Sequence, residues 1–104
     1  MTLRDWLRER SPAPPDRLLA RIDVRLGDRA ERDVAEIPAV CIAVAEALLT
    51  ELLSGDATGR ESALDLLTVD ALVTYAFEAA SARPVSVPGL AADSMARLAV
   101  AAQV

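Results

Sequence analysis

Between Ile37 and Leu49 the chain carries a single charge, Glu46. A helix that is apolar almost all round must be covered on most of its sides. This stretch therefore dictates the architecture: the rest of the 104 residues has to wrap around it. Extending it to Leu53 adds Thr50 and Glu51. A membrane span needs about 20 mostly apolar residues, and each central carboxylate costs roughly 2.5–3.5 kcal/mol on insertion scales. The expectation is a central core helix with Val40, Val44, Leu48 and Leu52 facing inward, and no membrane span.

What surrounds it also reads as helical. Alanine, leucine and valine supply 46 residues against three aromatics, Trp6, Tyr75 and Phe77. Alanine and leucine lead the helix-propensity scale, and no apolar/polar alternation signals a strand. The spacing predicts an all-α bundle of four to five helices in one domain, with 1–10 as a short docking helix, 11–15 as a Pro-rich connector and 16–104 as the bundle. Thr2 with Asp5 forms a capping box for the first helix, whose stripe is Leu3, Trp6 and Leu7. The eight residues from about Leu3 to Arg10 are too few to be stable alone, so this helix must dock. The second helix starts near Pro14 or Pro15 and stops at Gly27. Asp28 and Glu31 predict a cap for a third helix that Pro38 kinks and Gly55 ends. Thr58 and Glu61 open a fourth over 60–82, about 34 Å long. Arg83-Pro84 closes it, and Pro88 begins an alanine-rich fifth reaching about Ala102.

Absent residue types exclude several chemistries. With no histidine and no lysine, the chain holds no Ser-His-Asp or Cys-His nucleophile, no histidine metal ligand, no Schiff base and no P-loop. No catalytic, cofactor-binding or metal-binding residue is assigned. Five charges in the first ten residues argue against a secretory leader. One cysteine, Cys41, suits a reducing, cytoplasmic setting. Its apolar neighbourhood argues against a reactive thiolate. A net charge of -5 makes nucleic acid a poor partner. Residues 1–32 hold eight arginines against six acids, and residues 33–104 three against ten. Basic N-terminal helices are therefore expected to lie against acidic C-terminal ones.

Four groups are candidates for function. On the 60–82 helix, Glu61, Asp65 and Thr68 share one face, and Asp70, Thr74, Glu78 and Ser81 the opposite one. A stripe that changes sides predicts two different neighbours along the helix, with Glu61, Asp65 and Thr68 exposed in the first half. Apolar residues there point in nearly every direction, so part of that surface would stay uncovered in a monomer. The expected interface is Trp6, Asp70, Val73, Thr74 and Phe77, in a homodimer or against another helical protein. Arg17, Arg21 and Arg25 stand four apart and could grip an anion, although Asp16, Asp23, Asp28 and Glu31 are near enough in sequence to pair with arginines. Glu46 reads as an edge residue or an arginine partner. The function expected is a non-enzymatic interaction module, an accessory or regulatory subunit that self-associates. The alternative is a small helical enzyme or anion-binding protein using these arginines with Glu46 or Asp70.

Two short resemblances add no site. Asp70-Ala-Leu-Val-Thr-Tyr-Ala-Phe-Glu78 resembles a core helix of trans-prenyl diphosphate synthases, but the Asp-rich magnesium motifs of that family are missing and Val69 stands in place of its glycine. Leu19-Ala-Arg-Ile-Asp23 is similar to the first helix of helical chorismate mutases, which rely on a lysine that this chain lacks.

Overall fold

The computed structural model describes residues 1–55, 59–82 and 87–102. Five helices follow one another: α1 (Leu3–Arg8), α2 (Asp16–Leu26), α3 (Ile37–Ser54), α4 (Arg60–Ala80) and α5 (Val87–Ala102). No strand occurs among the described residues, and the all-α bundle is the observed fold class. The expected opening cap at Thr58 and the expected closure at Arg83-Pro84 lie outside the described residues.

Local chemistry sets most helix ends. Thr2 Oγ1 accepts the Asp5 N–H at 3.3 Å, and an Asp5 carboxylate oxygen accepts the Thr2 N–H at 3.1 Å. Both orphan donors at the start of α1 are thereby satisfied. The Thr2 N–H, and after it the Thr2 hydroxyl, hold the Asp5 carboxyl below its ordinary pKa by hydrogen bonding to it. Gly27 ends α2 at φ +54, a left-handed conformation that costs a residue without a Cβ little.

The segment 27–36 departs from expectation. Rather than one α-helix, it forms two 3₁₀ turns, Gly27–Glu31 and Val34–Glu36. Asp28 sits inside the first turn and caps nothing. Asp33 takes that role, its carboxylate accepting the Ala35 N–H at 2.9 Å. Pro38 is not a kink either: it occupies the first turn of α3, where a missing N–H breaks no helical bond. The 3₁₀ segment has another duty, because Leu3 N–H donates to the Arg32 carbonyl and Val34 N–H to the Met1 carbonyl. Those two bonds fasten the N-terminus to the segment.

By length and composition, Val34–Ser54 is apolar enough to cross a membrane. In the fold α3 is the axis of the bundle, lying along α4 and against α5. Ile37, Val40, Cys41, Ile42, Val44, Ala45 and Leu48 are buried, whereas Leu52 is half-buried and Leu53 exposed. Burial pushes the Cys41 thiol up to about 12, so the neutral thiol serves as an apolar core group. The core takes Leu3 and Leu7 from α1, Ile22 and Leu26 from α2, and Leu72 and Ala76 from α4.

Candidate functional site

Two features converge on the first half of α4: an ion-pair cluster beneath the helix and an apolar surface on its outside. The cluster begins with two matching ladders, Arg21 and Arg25 on α2 against Glu61 and Asp65 on α4. Each pair is four residues apart, so each shares a helix face. Arg21 Nε donates to an Asp65 oxygen at 2.7 Å, and its Nη2 stands 3.2 Å from Glu61. Arg25 Nη2 is 3.6 Å from the other Asp65 oxygen, and its Nη1 is 2.8 Å from Glu51 at the end of α3. Asp65, only 8% exposed, therefore bridges two guanidiniums. Its hydrogen bond with Arg21 holds the Asp65 carboxyl below the usual range, outweighing the opposing effect of burial, and the same bond raises the Arg21 pKa.

Glu61 is exposed as expected, but the other two polar residues of that face are not. Asp65 and Thr68 face inward, not outward. The cause is that both polar groups are satisfied inside: Asp65 by arginine, and Thr68 by donating from Oγ1 to the Leu64 carbonyl at 2.8 Å. Polar periodicity marks a solvent face only when no partner waits within. The outward side falls instead to Leu66 and Leu67, each 58% exposed. Beside Leu66, across a shallow apolar groove, α3 contributes Leu49, Leu52 and Leu53, the last 50% exposed. Viewed this way α4 has one solvent stripe, not two. Asp70, Thr74, Glu78 and Ser81 are exposed, and the stripe continues toward the N-terminus through Leu67 and Ala63.

The remaining candidates separate. Asp70 and Thr74 share the solvent stripe, where Thr74 Oγ1 donates to the Asp70 carbonyl at 2.9 Å. Val73 packs partly buried against the core, and Phe77 is half-buried. Trp6 on α1 packs partly buried against the core, edge-to-face with Tyr75 at 5.8 Å between ring centroids and beneath the Arg10 guanidinium at 3.6 Å. Arg10 in turn reaches Glu78 at 2.7 Å. Burial, with Glu78 nearby, raises the Tyr75 phenol above its ordinary pKa.

Arg17 is exposed, whereas Arg21 and Arg25 are neutralised by carboxylates of this chain. Their partners come from α3 and α4 rather than from the sequence neighbours Asp16, Asp23, Asp28 and Glu31. Glu46 is half-exposed and pairs with Arg97 on α5 at 2.9 Å. Among the described residues no group of three potential ligands gathers as a metal site. Sequence reasoning places Asp65 on a solvent face rather than in an ion-pair cluster, includes Leu66 and Leu67 only among the apolar residues spread around the 60–82 helix, and does not single out Leu53. The complementary four-residue spacing of the two charge ladders was the available signal for Asp65. No family model, curated protein or solved structure matches this chain.

Proposed function

We propose that this chain is a small non-enzymatic helical interaction module, an accessory or regulatory subunit whose first partner is another copy of itself. The observation carrying this reading is the outward-facing leucine surface of Leu53, Leu66 and Leu67. Soluble monomers rarely keep a contiguous apolar patch beyond a few hundred Å², and a two-fold pair hides such a surface with one self-complementary patch. The leucines flank the exposed Asp70 and Thr74, so the interface centres on the first half of α4, displaced from Trp6. A cytoplasmic location belongs to the same reading.

Anion binding by the arginine ladder draws no support from the geometry. Arg21 and Arg25 already meet Asp65, Glu61 and Glu51, and an incoming anion would have to displace these carboxylates.

Light scattering on the purified protein tests the reading. The chain is 11.0 kDa, and a mass twice that at micromolar concentration is expected. A mass of one chain across the accessible concentration range overturns it.

A further inference from the structure

We infer that α4 pairs antiparallel with α4 of a second copy of this chain, about a two-fold axis level with Asp65, so that Arg60 of each copy meets the partner's Asp70. This rests on the self-association reading and adds the register, the orientation and the charges that select them.

The inference starts from two charges that the fold leaves unused. Arg60 and Asp70 form no ion pair among the described residues, although most of the other arginines and many of the acids there do. Both are exposed. Their placement is the second observation. By 100° steps, Arg60, Ala63, Leu67, Asp70 and Thr74 fall within a stripe about 80° wide. Arg60 and Asp70 lie at equal distances, about 7.5 Å, on either side of the level of Asp65. Between them the stripe carries Ala63 and Leu67, likewise equidistant from that level.

A two-fold axis through this level exchanges the two ends. Leu67 then faces the partner's Ala63, a large side chain over a small one, and the opposite charges close both ends. Leu66 and Leu53, at one flank, widen the apolar contact beyond a single helix. A parallel pair would set Arg60 against the partner's Arg60 and Asp70 against the partner's Asp70, which charge repulsion disfavours. The outer face of α5 also exposes Met95 and Val100. Its charges are already used, with Arg97 bonded to Asp93 and to Glu46, so nothing there selects a partner.

Sedimentation equilibrium of Arg60→Asp, Asp70→Arg, the double variant and a mixture of the two single variants tests the register. Circular dichroism checks that each variant keeps its helix. Each single variant turns two attractive contacts into repulsive ones, and dimerisation about tenfold weaker than in the parent is expected. The double variant restores both pairs with their signs exchanged and should return close to parental affinity. The mixture is the sharper case: Arg60→Asp and Asp70→Arg chains each repel themselves but attract one another, so heterodimers should form in preference to either homodimer. A parent that dimerises while all three charge variants match it overturns the register and leaves the self-association reading standing. A monomeric parent overturns both and leaves the leucine face to a different helical protein.

Discussion

At position 65 a side chain without negative charge would take away the carboxylate that two partly buried guanidiniums share. Asp65→Asn keeps the size and removes the charge, so its cost isolates the bridge to Arg21 and Arg25. Hydrogen bonds to charged groups contribute about 1.5–3 kcal/mol. Glu61 and Glu51 still offer each arginine one partner, so a loss of about 1–3 kcal/mol is expected, read as a lower midpoint in urea unfolding. Exposed pairs contribute about 0.2–1 kcal/mol, so Glu61→Gln should fall well short of that loss. The pH dependence has a definite sign. The Asp65 carboxyl releases its proton more readily folded than unfolded. Its contribution is therefore complete above the ordinary aspartate value of about 3.9 and disappears as pH falls from there through the lower folded value. Asp65→Asn should remove that part of the acid sensitivity. A variant as acid-sensitive as the parent would place the bridge's energy elsewhere.

Helix α1 shows at the element scale how a segment too short to stand alone is held. Its six residues depend on Leu3 and Leu7 being buried, on the Trp6–Tyr75 ring contact, on Arg10 reaching Glu78, and on the two backbone bonds to the 27–36 segment. Leu7→Ala should cost about 2–5 kcal/mol. Because Trp6 is the only tryptophan, its emission should move toward that of a solvated indole as α1 loosens. Unchanged emission in a destabilised variant would mean that α1 stays docked without Leu7. Elements of this kind were largely legible in the sequence where their signals are local. The Thr2–Asp5 box, the stop at Gly27 and the stop at Gly55 each depend on residues a few positions apart. What distance hid was long-range. Asp65 looks like a solvent residue until α2 brings its arginines, and Thr68 until the core covers it. For the same reason the polar pattern of α4 suggests a stripe that switches sides. The 27–36 segment is likewise shaped by tertiary bonds to Met1 and Leu3, which no cap pattern records.

For the molecule as a whole, the leucine surface and the acid–arginine cluster are two sides of one arrangement. By turning Asp65 inward to meet α2 and burying Thr68 beside it, the fold commits the first half of α4 to presenting Leu66 and Leu67 outward. Anything that covers those leucines stabilises the folded chain, because the unfolded chain has no such surface to match. A self-associating protein must then melt at a temperature that depends on its concentration. A hundredfold increase in concentration favours the pair by about 2.7 kcal/mol, shared between two chains. For a domain of this size each kcal/mol moves the melting temperature by about 4–8 °C. A rise of about 5–10 °C is therefore expected between 5 and 500 µM (concentrations on the order of those usual for such melts), followed by circular dichroism. Leu67→Glu places a charge on the outside of α4, where the monomer tolerates it, and inside the paired surface opposite the partner's Ala63, where the nearest cation, the partner's Arg60, is already engaged by Asp70. That variant should keep its helix content and melt at one temperature across the whole range. A parental melting temperature indifferent to concentration would mean that the leucines stay in water.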